Sequence, residues 1–272
     1  MAVAETTIAP SATTTSDGRR IPTVVVDDAH VIYRVHGAGS AGTNTPVGAL
    51  KRVLTRVPAP TVREVHAVKG VTFTAYRGEA IGLIGSNGSG KSTLLRAIAG
   101  LLPVTSGAVY AQGQPALLGV NAALLNDLTG ERNVALGLLA MGFSPEVVRK
   151  RTAEVIEFSG INERGDFASL PMRTYSSGMS ARLRFAVSSA KDHDVLLIDE
   201  ALATGDRRFR RRSEQRVREL RESAGTVFLV SHQLSTIQET CERTIWLESG
   251  EMRADGPTDE VIAQYEGYTN GK

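Results

Sequence analysis

The chain has 272 residues, 42% of them hydrophobic and 22% charged. That excludes a wholly disordered polypeptide and supplies apolar material for one large or two modest globular units. Aromatics make up 5% and the formal charge is +2, which argues against a binder that stacks single-stranded bases and against a bulk electrostatic attraction to nucleic acid. The single cysteine, Cys241, excludes a disulfide framework and fits a reducing compartment. Residues 1–20 lack the basic-then-apolar build of a signal peptide. No run of about 18 apolar residues could span a bilayer, so a membrane role is expected to come through a partner.

Residues 4–20 are rich in Ala, Thr and Ser, and residues 1–20 are expected to form a disordered tail. Residues 21–33 and 65–75 read as two strands from their β-branched content and alternation. Between them, residues 37–60 carry four glycines and three prolines and read as a long loop, with a short helix near 49–55. Residues 80–84, 195–198 and 227–230 are continuous apolar runs of the buried, parallel-strand type. Residues 92–100 read as a helix with a glycine stop, and 128–190 as mainly helical. Residues 245–247 and 251–254 form an expected hairpin around Ser249-Gly250, and 257–268 a short helix. No internal repeat is visible.

Gly85-Ser86-Asn87-Gly88-Ser89-Gly90-Lys91-Ser92 fits G-x-x-x-x-G-K-[ST] in full, after an apolar strand and at the start of a helix. Glycines there let backbone N–H groups wrap a phosphate, and the helix N-terminus adds partial positive charge. Lys91 would reach the β- and γ-phosphates, the Ser92 hydroxyl would ligate Mg²⁺, and Thr93 follows within the same turn. The bland alternative is a glycine-rich turn before an unrelated helix. In Val195-Leu196-Leu197-Ile198-Asp199-Glu200, two carboxylates emerge at the end of a buried strand, where open α/β sheets bind ligands. Asp199 would hold Mg²⁺ and Glu200 would polarise an attacking water; read alone, the pair is a solvated acidic turn. His232, just past the run 227–230, could reach the γ-phosphate, although a lone histidine is commonly bland.

Tyr175-Ser176-Ser177-Gly178-Met179-Ser180 opens a helical stretch. It resembles the Leu-Ser-Gly-Gly-Gln signature of ABC-type ATPases and stands, as in that family, shortly before the acidic strand. The resemblance covers about residues 21–252, with Asp206 matching the D-loop aspartate. Tyr-Ser-Ser-Gly-Met, with Leu128-Thr129-Gly130-Glu131-Arg132-Asn133-Val134, is similar to the subfamily that exports lipid-linked polysaccharides: O-antigen, teichoic acid, capsule and cell-wall galactan. In that segment Glu and Arg stand in reverse order relative to the subfamily's Leu-Thr-Gly-Arg-Glu-Asn.

The resemblance implies an α/β P-loop NTPase fold with a RecA-like core sheet, a helical subdomain at about 120–190 and a small antiparallel β part. It implies a nucleotide-binding unit over 21–252, with 253–272 a short helix and tail and no carbohydrate-binding domain. The cofactors would be ATP and Mg²⁺. The chain would form a homodimer in which Ser176, Ser177, Gly178 and Met179 of one copy cover the γ-phosphate held by the other. Two copies would join two copies of a polytopic membrane permease at the cytoplasmic face of the bacterial inner membrane, powering export of a lipid-linked glycan without nucleic acid. Adenine would stack on Tyr33 or on His66. The family's Q-loop glutamine is absent, leaving Val120, Asn121 or neither to complete the Mg²⁺ shell. The competing functions are a soluble ABC ATPase acting on nucleic acid or ribosomes, which would show a coiled-coil insert or a second cassette, and a P-loop kinase, which would lack the signature.

Between Arg34 and Lys69 the charges are Arg34, Lys51, Arg52, Arg56, Arg63 and Lys69 against Glu64 alone. They read either as a solvated loop or as a platform for the permease or a lipid pyrophosphate. The run 207–212, with Phe209 inside it, reads as a solvated helix face. Cys241 reads as an inert, half-buried residue.

Overall fold

The computed structural model describes residues 19–36, 62–118, 124–199, 207–231 and 233–271. Two long strands, β1 (Pro22–His36) and β2 (Val62–Tyr76), pair antiparallel, and β4 (Ser106–Ala111) lies on the other edge of β1. Val24, Val26, Val31, Val68, Val71 and Phe73 turn one face of this small sheet into the core, each 5% exposed or less. A register shift after Val26, with Asp28 at φ 45°, bends β1 where it crosses between its two neighbours.

The second sheet has six strands. Its centre is β3 (Ala80–Ile84), flanked by β7 (Thr226–Val230) and β8 (Arg243–Glu248). Outside these lie β6 (Val195–Asp199), β5 (Ala116–Leu117) and β9 (Glu251–Pro257), giving the order β5-β6-β7-β3-β8-β9. All neighbours are parallel except β8 and β9. Covered on both faces, β3, β6 and β7 need no alternation, which is why their sequences are unbroken apolar runs. Val230 is the register partner of both Leu83 and Asp199. The ends of β3 and β6 therefore share one carboxyl-terminal edge.

The helices follow from caps and spacing. They are α1 (Lys91–Ile98), α2 (Gly130–Ala140), α3 (Pro145–Ser159), α4 (Ser177–Ser188), α5 (Arg207–Ser223), α6 (Leu234–Thr240) and α7 (Thr258–Asn270). Thr129, Ser144 and Ser176 cap α2, α3 and α4 by accepting from N–H groups in the first turn. These three helices enclose their own core of Val134, Leu138, Val148, Leu183 and Val187. They form a helical unit with its own core, joined to the sheet's second apolar layer through Phe158 and Phe185.

Several sequence expectations shift. The first two strands run beyond their expected ends, to His36 and back to Val62, up to the edges of the expected loop 37–60, and Arg34 Nε donates to Glu64 Oε1 at 3.0 Å between them. Strands β4 and β5 and helix α6 were not expected. The arginine run is no fully solvated face: Phe209 is 1% exposed, stacked edge-on against Phe185, and Arg212 donates to the Glu157 carbonyl and to Glu163. Cys241 is buried rather than half-buried. Residue 252 falls inside β9, and Val261 and Ile262 of α7 pack into the second apolar layer. The tail 1–18 and the short helix at 49–55 lie outside the described residues.

Candidate functional site

Residues 85–90 form the loop between β3 and α1. Gly85, Gly88 and Gly90 have φ of 141°, 80° and 104°, a region open to glycine and costly for other residues. Two of the three are also packed from behind. A Cβ on Gly85 would overlap the Leu247 carbonyl oxygen, and one on Gly90 the Ala67 carbonyl oxygen, whereas Gly88 faces open space. The Gly250 N–H donates to the Ser89 carbonyl at 3.0 Å, and the Lys69 N–H to the Gly250 carbonyl at 2.8 Å. The loop is thus clamped between β2 and the turn joining β8 to β9, where Ser249 and Gly250 both have positive φ, as a tight two-residue hairpin requires.

Lys91 is 7% exposed. Its Nζ donates to the carbonyls of Gly85 at 2.8 Å and Ser86 at 2.9 Å, and to Ser89 Oγ at 3.3 Å. Burial pulls its pKa below the usual lysine value, and the negative charges of Asp199 and Glu248 oppose that shift. At the start of α1 no side chain caps the helix and no acid stands in the first turn, so its positive end is open towards the loop. Asn87 and Gly88 are exposed at the loop tip and Ser92 and Thr93 half-buried behind it. This donor set, the backbone N–H groups at an uncapped helix start plus one buried ammonium, suits a polyphosphate.

Asp199 ends β6 on the same edge and is half-buried. Among the described residues no cluster of three or more His, Cys, Asp or Glu could hold a metal. Mg²⁺ bound with phosphate uses one or two protein oxygens and keeps its waters; Ser92 and Asp199 would supply them. Glu200, Asp206, Val120, Asn121 and His232 lie outside the described residues, as do Lys51, Arg52 and Arg56.

Tyr33 of β1 is half-buried, with its hydroxyl 3.4 Å from Thr93 Oγ1. His66 is instead engaged by His30, with Nε2 3.0 Å from His30 Nδ1.

The turn 175–179 stands in the helical unit. Ser176 is exposed and caps α4 through the Met179 N–H at 3.2 Å; Ser177 is exposed, and Gly178 and Met179 are half-buried. A Cβ on Gly178 would meet only Ser176 Oγ, at 3.9 Å, so the helix end is open to an outside group. Tyr175 points inward and donates its hydroxyl to the Phe167 carbonyl at 2.6 Å. Burial raises its pKa, the largest influence on it.

The segment 128–134 explains its own composition. Asn133 is 1% exposed; its Oδ1 accepts from the Leu125 N–H, and its Nδ2 donates to the carbonyls of Leu125, Leu128 and Thr129. One buried amide so holds the approach to α2, with its oxygen and its NH₂ group both engaged. Glu131 and Arg132 are exposed, so their reversed order disturbs no packing. Glu248, whose carboxylate touches the phosphate loop, carries no local sequence signal: an acid before Ser-Gly reads as part of a solvated turn.

A loop of this geometry on a parallel sheet, with a capped helical unit beside it, defines an ATP-binding cassette. The ABC transporter family model matches residues 68–203, and the chain belongs to that family. It is 39% identical over 214 residues to a teichoic acids export ATP-binding protein, TagH, of Staphylococcus saprophyticus, covering 79% of this chain and 80% of that protein. It is 37% identical over 212 residues to the TagH of Staphylococcus epidermidis (78% and 79%), and 38% over 208 residues to that of Shouchella clausii, covering 76% of this chain and 57% of the longer relative. Among solved structures, the ATP-binding cassette MJ0796, dimeric and bound to ADP and Pi, superposes with a TM-score of 0.63 at 23% identity, over 86% of this chain and 98% of that one; this likeness concerns the fold.

Proposed function

We propose that the chain is the ATP-hydrolysing subunit of an exporter of lipid-linked polysaccharide. The observation that carries this reading is the 37–39% identity to teichoic acid export subunits over more than three quarters of the chain. In this reading residues 21–252 form the nucleotide-binding unit. Gly85, Ser86, Asn87, Gly88, Ser89, Gly90, Lys91, Ser92 and Thr93 hold the phosphates of ATP, while Ser92 and Asp199 hold Mg²⁺. Glu200 and His232 direct the attacking water, and Asp206 lies at the dimer seam. Two copies pair so that Ser176, Ser177, Gly178 and Met179 of one close over the nucleotide of the other, an isologous arrangement. Tyr33 stacks on adenine; its position beside Thr93 supports this, and the engagement of His66 with His30 argues against the alternative.

No helix among the described residues is long and apolar enough to cross a membrane. In this reading a polytopic permease, in a 2:2 complex on the cytoplasmic face of the inner membrane, supplies the path for the glycan. The permease grips the surface beside residues 117–134, where Leu125, Leu136 and Leu139 are 54%, 45% and 44% exposed. Depletion of the chain tests the reading. Accumulation of a lipid-linked glycan inside cells supports it, and recovery of RNA rather than a polytopic membrane protein from detergent-extract pull-downs overturns it.

A further inference from the structure

Glu248 sits where a phosphate site has no evident use for it. It is 6% exposed, at the end of β8 and under the loop. Such a buried carboxylate is costly unless it is hydrogen-bonded. Its Oε1 accepts from Ser86 Oγ at 2.9 Å and its Oε2 from the Ser86 N–H at 3.4 Å. On the other side of the same residue, the Ser86 carbonyl accepts from Lys91 Nζ at 2.9 Å. One peptide unit is therefore held from below by a carboxylate and holds the ammonium above it.

We infer that Glu248 is a positioning residue of the nucleotide site: through Ser86 it fixes the carbonyl that aims Lys91 at the phosphates. Placed close to Lys91, its charge also helps to keep the buried ammonium protonated. The strand further ties the site to α7, because Trp246, two residues before Glu248, packs on Tyr265 and Tyr268 with ring centroids 5.6 and 5.2 Å apart.

The inference rests on the phosphate-loop reading of residues 85–92, so its test carries Lys91→Ala as a separate arm. The full chain is titrated with a fluorescent ATP analogue and Mg²⁺, and thermal unfolding is recorded for each variant. Glu248→Ala is expected to raise Kd about tenfold, as for a lost hydrogen bond to a charged group. Glu248→Gln, which keeps an acceptor oxygen for the Ser86 hydroxyl, is expected to recover most of the affinity. Ser86→Ala, which removes the hydroxyl bond and leaves the N–H bond, should raise Kd by less than Glu248→Ala, and Glu248→Ala combined with Ser86→Ala should bind no worse than Glu248→Ala alone, because the hydroxyl acts through that carboxylate. A role confined to holding the hairpin would lower the unfolding temperature and leave Kd unchanged, which would overturn the inference; so would multiplying effects in the double variant. If Glu248→Ala yields no folded protein, Ser86→Ala decides alone, and wild-type affinity in it counts against the proposal. Wild-type binding by Lys91→Ala would mean that the phosphate-loop reading has failed, whereas lost binding in Lys91→Ala beside normal binding in Glu248→Ala removes this inference only.

Discussion

The hydroxyl of Tyr175 occupies the space in which a side chain on Gly130 would stand, and a Cβ there would overlap it. The first residue of α2 and the residue before the Ser176 cap are thus fitted to each other. Gly130→Ala is expected to destabilise the helical unit by about 1–3 kcal/mol, the usual cost of overpacking, and to lower ATP turnover by displacing the turn 175–179. Adding Tyr175→Phe removes the clashing oxygen and should restore part of both. Thermal unfolding and steady-state ATPase measurements read the two effects, and a double variant worse than Gly130→Ala would refute the steric account.

The lowered pKa of Lys91 gives a pH signature. The cationic form binds phosphate, so ATP affinity should begin to fall on the alkaline side below pH 10.5, the ordinary lysine value. Lys91→Arg, charged at all these pH values, should bind more weakly but lose the alkaline fall. For folding the sign is reversed. Between the lowered value and 10.5 the unfolded chain binds the extra proton, so this group's contribution to stability grows as pH rises through that window. Titration of Kd against pH for both proteins checks the first point, and denaturant unfolding across the same range checks the second.

Ser176→Arg should leave nucleotide binding by the single chain intact and block closure of the dimer, because Ser176 is exposed at the open end of α4. Mixed with Lys91→Ala, it should regain some activity: the mixed dimer pairs one doubly damaged site with one intact site. Verified heterodimers that remain inactive would argue against two independent composite sites.

Glu200→Gln is expected to retain ATP binding and reduce turnover by about two to four orders of magnitude, the usual contribution of a general base. A stable dimer on size-exclusion chromatography in ATP should accompany the loss. Near-wild-type hydrolysis would dismiss Glu200 as the base.

Cys241 is 3% exposed, and burial pushes its thiol up to about 12. The thiolate is the reactive form. The native chain should therefore resist thiol reagents near neutral pH and release one equivalent only on unfolding, as a colorimetric thiol assay would show. Rapid labelling of native protein would contradict this packing.

The parts of the molecule legible in sequence are those specified by local rules. Residues 80–84 read as a strand because they are buried on both faces, and the structure has β3 at those residues. Ser249-Gly250 read as a turn because few other pairs accept its backbone. What stayed hidden depends on distant partners. Strand β5 is two residues long and exists only as an edge of β6. Phe209 within an arginine run looks solvated until Phe158 and Phe185 close around it. Glu248 acquires its meaning from a residue 162 positions earlier.

That distance also bears on how the protein is made. Ser86 of the phosphate loop is synthesised 162 residues before Glu248, and Gly250 follows two residues later. At about 5–20 residues per second of translation, the loop waits roughly 8–30 s for them. A nascent chain cut short before β8 would carry the whole glycine-rich motif and the strand before it. It would lack the turn that gives the loop its shape. Nucleotide capture should therefore begin only once that turn has been made, so that a ribosome-bound fragment ending near residue 240 ignores ATP and one that has exposed residues past 257 does not.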